Sequence, residues 1–222
     1  AAEGAGSRRP VVLVAPSWQE DCLLDLCADE VIEPLLGRGF SVIVRPHPEY
    51  TKRYHARWES LQQRYASWSR DDIYFEQDFS TSDSVYDADV LVTDWSSIAC
   101  EFSFTTMKPC VFVDTPMKVT NPDWEELGIE PADLAIRNQI GASLAMEELS
   151  RLGDVVEDMV ARPEAWRNRI EEVRSRMIYH KGRGGEIAGA YLLDRMLAKQ
   201  GDRAVEAFGA SRLDRAGVAG WI

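Results

Sequence analysis

His47 stands between Pro46 and Pro48, and two prolines restrict the chain so strongly that the imidazole has a defined direction. An imidazole titrates near neutrality, so it can serve as a general base or donate to a departing phosphate, although a hydrogen-bonded structural histidine has the same local signature. A second concentration of chemistry is Thr93-Asp94-Trp95-Ser96-Ser97, followed by Ile98-Ala99-Cys100-Glu101-Phe102. An Asp or Ser here caps the helix that follows. The hydroxyls of Ser96 and Ser97, with the free N–H groups of a first helical turn, also make an anion site at the positive end of the helix dipole. Pro16-Ser17-Trp18 has the same polar, restricted character. Arg45, before Pro46, suits either a phosphate or the flank of a sheet. The stretch His180-Lys181-Gly182-Arg183-Gly184-Gly185-Glu186 reads as a turn between helices, with a second anion site as the sharper alternative. His55 and His180 read as surface residues. No Walker loop, GxGxxG or GxSxG occurs, which disfavours a serine nucleophile.

These residues sit at the ends of short apolar runs. The runs are Val11 to Ala15, Ser41 to Val44, Ile73 to Phe75, Val90 to Val92 and Val111 to Val113, with amphipathic segments between them. Buried parallel strands covered by helices read this way. The pattern predicts an α/β fold, a Rossmann-like doubly wound parallel sheet of five or six strands in the order 3-2-1-4-5, with C-terminal helices. In such a sheet ligands bind beyond the carboxyl ends of the strands, where the strand order reverses. Strands one and four are neighbours there, so the Ser17 loop and the Ser96-Ser97 turn should face each other and take a phosphate. Cys22 to Leu36 predicts one helix with a break at Pro34. Lys52 to Trp68 predicts another, and a second helical region is expected from near Gly141 onward, with Pro163 in a first turn.

With 25 Lys and Arg against 37 Asp and Glu, the net charge is -12, a field that repels polyanions and argues against non-specific nucleic-acid binding. Cys22, Cys27, Cys100 and Cys110 form no CxxC pair, so neither a zinc site nor a disulfide framework is suggested, and a reducing compartment is the simpler setting. No apolar run is long enough for a signal peptide or a membrane span, which reads as a cytosolic protein. The expected division is a flexible segment 1–9, a nucleotide-donor-binding domain 10–200 and a tail 201–222. The loose Ala/Gly/Ser/Arg start without Met suggests residues cut from something longer.

APSW after strand one, RPHP after strand two, and ADVLVTDWSS followed by a helix and KPCVFVD resemble, in order and placement, the C-terminal half of the CDP-glycerol glycerophosphotransferases, the teichoic-acid primases and polymerases. The resemblance covers about residues 10 to 115 well and 136 to 198 loosely. It implies half of a GT-B enzyme, the half that holds a CDP-activated donor as substrate, with no cofactor or metal. It implies transfer of glycerol phosphate to a hydroxyl of a lipid-linked or polymer acceptor, without a covalent enzyme intermediate. His47 matches the family's donor-side histidine and so is the catalytic candidate. Ser96 and Ser97 match its serines near the donor phosphates, and Pro16, Ser17, Trp18, Arg45, Thr93 and Asp94 complete the expected donor site. The acceptor-binding N-terminal domain is missing, so nucleotide binding without turnover is expected of this chain, and the full-length protein would sit in the cytoplasm, peripheral at the inner face of the membrane. Two further departures touch the donor: Trp95 replaces the usual tyrosine, and TPMKVTNPDW follows Asp114 in place of a tyrosine-containing stretch. The competing readings are a UDP-sugar-dependent glycosyltransferase or epimerase-like enzyme, and a non-catalytic nucleotide-binding or scaffold domain.

Overall fold

The computed structural model describes residues 8–119 and 121–200. Six parallel strands form one sheet: β1 (Val11–Val14), β2 (Ser41–Val44), β3 (Ile73–Phe75), β4 (Val90–Thr93), β5 (Cys110–Asp114) and β6 (Gly141–Ala145), in the order β3-β2-β1-β4-β5-β6. The predicted order 3-2-1-4-5 is therefore present, extended by β6 at the β5 edge. The helices are α1 (Leu23–Leu26), α2 (Ala28–Gly37), α3 (Pro48–Arg53), α4 (His55–Arg64), α5 (Asp83–Asp87), α6 (Ile98–Thr106), α7 (Ala132–Ala135), α8 (Arg137–Ile140), α9 (Leu152–Ala161), α10 (Pro163–Met177) and α11 (Gly184–Gln200). The expected segments 1–9 and 201–222 lie outside the described residues, save Arg8 and Arg9, which pair with Asp89 and Asp72. The chain divides into two compact units, one up to Arg174 and one from Ser175; the sheet and every residue of the candidate site belong to the first.

Successive strand residues point to opposite faces, and here both faces are apolar. Val12, Val14, Val42, Val44, Val90, Val92, Val111 and Val113 join one buried cluster with Leu23, Val31, Ile32 and Leu35 of α1 and α2, Trp58 and Leu61 of α4, and Val156 and Met159 of α9. On the other face Leu13, Leu91 and Phe112 are buried, and α5 and α6 lie against β1 and β4. Each fully buried Val or Leu contributes roughly 1.5–3 kcal/mol, so the register of the central strands is strongly specified and their carboxyl ends fall on one edge.

Three local expectations are corrected. The first crossover breaks at Cys27 (φ -150, ψ 33) rather than at Pro34, which lies inside α2. Pro34 removes a hydrogen bond to Glu30, but Glu30 is exposed and water can take its carbonyl. The second crossover starts earlier than Lys52, at Pro48, and breaks at Tyr54. Residues Gly141 to Ala145 form β6 and not the start of a helical region. A Cβ at Gly141 would stand 2.0 Å from the carbonyl oxygen of Cys110, so only glycine lets this strand approach β5 so closely.

Candidate donor site at the strand exits

Asp94 directly follows β4 and is 1% exposed. One carboxylate oxygen accepts the N–H groups of Ser17 and Trp95, each at 2.7 Å. The other accepts the Ser17 hydroxyl at 3.1 Å and the Leu23 N–H at 3.1 Å. The β1 and β4 exits are thus tied together through one carboxylate. Thr93 does the same more weakly, donating to the Ala15 carbonyl at 2.7 Å. Pro16, Ser17, Thr93 and Asp94 are all buried. Their polar groups are engaged with the protein, so they shape the crevice and do not face into it.

Ser96 and Ser97 have the opposite character. Ser97 precedes α6 with a helical backbone and makes no side-chain cap, and it is exposed while Ser96 is half-buried. The first turn tightens through Ala99 N–H to Ser96 and Cys100 N–H to Ser97. Among the described residues, neither hydroxyl has a partner. The helix N-terminus therefore presents two free hydroxyls and unbonded N–H groups, which is the composition of an anion site.

His47 is the N-cap of α3, and its Nδ1 accepts the Glu49 N–H at 3.1 Å. An N–H can only donate, so the neutral ring carries its proton on Nε2. Partial burial lowers the imidazole pKa below its ordinary value, and the nearby charges of Lys118 and Lys52 lower it further against the opposing pull of Glu49. His47 is held neutral, as a hydrogen-bond donor at Nε2. Its ring lies 6.1 Å from that of Trp18 between centroids. The Lys118 ammonium stands 4.9 Å from the Trp18 ring and the Arg53 guanidinium 5.2 Å from it. Cations from α3 and from the loop after β5 thus gather around one aromatic ring at the β1 exit.

Arg45 is the correction among the expected phosphate ligands. Its guanidinium pairs with Glu76 at 2.6 Å, both side chains mostly buried, and also donates to Ser84 and to the Thr81 carbonyl. A buried carboxylate cancels its charge, so it braces the β3 exit.

Two residues were not foreseen. Lys118 lies in the loop after β5, and extending the strand-exit rule to β5 would have found it. Arg137, 7% exposed, pairs with Asp114 at 2.6 Å and stacks 4.0 Å over Trp95. Its role depends on a fold-level contact between α8 and the β4 exit that no local pattern announces. Trp95 is further fixed by its indole N–H, which donates to the Thr115 carbonyl at 2.8 Å. Among the described residues, the buried side-chain atoms without a partner are Thr115 Oγ1 and Arg137 Nε, both on residues that touch Trp95. No group of three or more His, Cys, Asp or Glu side chains among the described residues could hold a metal ion, and no helix there is long and apolar enough to cross a membrane.

The family model for CDP-Glycerol:Poly(glycerophosphate) glycerophosphotransferase matches residues 4–126, more than half of the chain and all of the first five strands. The chain belongs to that family. No curated protein sequence matches it. Among solved structures, this glycerophosphotransferase-family chain is similar to the glycotransferase of kitacinnamycin, at 16% identity and a TM-score of 0.54 over 88% of this chain and 44% of that one. It is also similar to a putative UDP-N-acetylglucosamine 2-epimerase from Listeria monocytogenes, at 10% identity and 0.53, over 89% of this chain and 47% of the other. A third is an α,α-trehalose-phosphate synthase (UDP-forming) from Burkholderia vietnamiensis, at 13% identity and 0.51, over 74% and 39%. At these identities the likeness concerns the fold alone, a Rossmann-like doubly wound parallel sheet of the kind that forms one GT-B half-domain. The chain spans less than half the length of each of these three.

Proposed function

We propose that this chain is the donor-binding half of a transferase that moves glycerol phosphate, or a related polyol phosphate, from a CDP-activated donor to a hydroxyl of a cell-envelope glycopolymer or lipid-linked acceptor. The observation that carries the reading is that the family match spans the strand exits at which His47, Lys118 and the start of α6 lie. In this reading the donor's diphosphate takes the free N–H and hydroxyl groups of Ser96 and Ser97 and the charge of Lys118, with His47 Nε2–H directed at it.

The reaction forms a bond from the acceptor oxygen to the distal phosphorus and breaks the anhydride, so CMP leaves with the bridging oxygen and the acceptor hydroxyl loses its proton. Such transfers depend mainly on positioning and on neutralising charge at the breaking bond. A neutral imidazole with its proton on Nε2 suits that task as a donor. The same tautomer has no free lone pair on Nε2, which argues against His47 as the base toward the acceptor. Where that base stands belongs to the acceptor side.

Calorimetric titration of the chain with CDP, CMP and UDP tests the reading. CDP should bind saturably and at least roughly tenfold more tightly than CMP, because the second phosphate adds charge-assisted hydrogen bonds. Absence of CDP binding would overturn the reading, and tighter binding of UDP would move it to the UDP-sugar-dependent alternative.

A further inference from the structure

The loop that carries His47 is fastened on both of its sides. Ahead of it, Arg45 is held by Glu76 and Ser84. Behind it, the Tyr50 N–H closes the first turn of α3 on the His47 carbonyl at 2.8 Å, and the Tyr50 hydroxyl donates to an Asp25 carboxylate oxygen at 2.9 Å. Asp25 lies on α1, two residues after Leu23, whose N–H is held by Asp94. The same Asp94 holds the N–H of Trp95, just ahead of Ser96. One short helix therefore runs between two carboxylate contacts, one to the turn that opens α6 and the other to the helix that His47 caps. That helix is stiff. Leu23 and Leu24 are buried, and its turns close through the Leu26 N–H to Cys22 and the Cys27 N–H to Leu23. The Asp25 carboxylate is further fixed by Arg57 at 3.3 Å and by the Cys22 thiol at 3.5 Å.

We infer that Asp25, acting through Tyr50, is a positioning residue that sets where His47 Nε2 stands relative to the Ser96-Ser97 turn. The inference rests on the donor-binding reading and deepens it. The Glu49 N–H engages His47 Nδ1, so the imidazole follows the backbone of the first turn of α3 and moves with it. Tyr50 is the one buried residue of that six-residue helix, at 1% exposure, so the helix is seated mainly through its side chain. Apolar contact holds a ring down but lets it slide, because it has no direction. The hydroxyl supplies the direction: a buried phenol needs a partner, and a bond to a carboxylate is among the stronger and better-defined ones. A donor aimed at a breaking anhydride must be held to within about half an ångström of the productive geometry. The Tyr50–Asp25 bond gives α3 that fixed seat on the side that faces α1, as the Arg45–Glu76 pair fixes the loop on the side of β3.

The test is a double-mutant cycle on the Kd of CDP, measured by calorimetry on the chain. Tyr50→Phe keeps the ring and removes the hydroxyl, and His47→Asn keeps an acceptor for the helix cap but lacks a donor at the Nε2 position. Asp25→Ala breaks the same bond from its other end, and thermal melting checks the folding of every variant. With His47 present, Tyr50→Phe and Asp25→Ala should each weaken CDP binding roughly threefold to tenfold, whereas with His47→Asn in place Tyr50→Phe should change it by less than about twofold. A bond that only stabilises the fold would lower the melting temperature and leave the Kd alone, or weaken CDP equally in both backgrounds. Either result overturns the inference and leaves the donor reading standing. If the natural sequence does not bind CDP, both fall.

Discussion

At the residue scale, similar polar side chains divide into those that hold the crevice and those left open to it, and that division follows from burial. Asp94 accepts four hydrogen bonds from the β1 exit, its own turn and the start of α1. Asp94→Ala leaves the N–H groups of Ser17, Leu23 and Trp95 without an acceptor, and each unsatisfied buried group costs about 1–3 kcal/mol. Urea denaturation should show a loss of about 3 kcal/mol or more. His47 carries a different prediction. As a donor from Nε2, it should be partly replaced by His47→Gln, whose amide can accept from Glu49 and still donate, while His47→Ala should lower kcat by about 10²- to 10⁴-fold in a protein that turns over. Equal loss in both variants would point to proton abstraction instead. The lowered pKa of His47 also predicts a stability change with the sign fixed. The unfolded ring, titrating near 6.5, binds a proton before the folded ring does, so stability falls as pH drops below about 6.5 and levels off below the folded pKa. His47→Asn should flatten that part of the curve in pH-dependent melts. The prolines around His47 made its fixed direction legible in the sequence. Its tautomer was not, because that depends on one backbone N–H two residues away.

At the element scale, α6 and β6 show what periodicity can and cannot convey. The helix after β4 was legible from its strand exit, but whether Ser96 and Ser97 cap it or stay free depends on backbone angles that residue types do not fix. Since neither hydroxyl caps, Ser96→Ala with Ser97→Ala should leave the melting temperature nearly unchanged and weaken CDP binding well over tenfold, at roughly 1.5–3 kcal/mol for each charge-assisted bond. A capping role would give the reverse, a loss of stability of about 1 kcal/mol with CDP affinity unchanged. The strand β6 was missed because Gly-Ala-Ser-Leu-Ala lacks the branched residues that mark a buried strand. Its assignment makes its own prediction: Gly141→Ala places a Cβ against the Cys110 carbonyl, and the variant should unfold at markedly lower urea concentration with the β5 and β6 amides losing exchange protection. The break at Cys27 was invisible for a related reason. The start of α1 is anchored by the Leu23 N–H to Asp94, a bond across 71 residues of chain, and the chain re-aims after that tether.

At the scale of the whole molecule, a chain with net charge -12 gathers Lys118, Arg53 and Lys52 near His47 and Trp18 at the crevice edge. An acidic protein that keeps local cations beside a helix N-terminus is suited to a small anionic ligand and poorly suited to a polyanion tracking its surface. The strand order and the edge on which ligands collect were legible because five apolar runs alternate with amphipathic segments, and parallel topology then leaves few choices. The loop after β5 is within reach of the same strand-exit rule, but residue types do not show that Lys118 comes to lie over the Trp18 ring. The central claim is that one crevice, made by the exits of β1, β2 and β4, holds a nucleotide diphosphate. The measurement that tests it most directly is a crystal structure of the chain with CDP bound. The diphosphate should lie at the first turn of α6, within hydrogen-bond distance of a Ser97 or Ile98 N–H and of His47 Nε2, with the Lys118 ammonium beside it. A nucleotide seated instead along α4, or a diphosphate lying away from both α6 and His47, would contradict it.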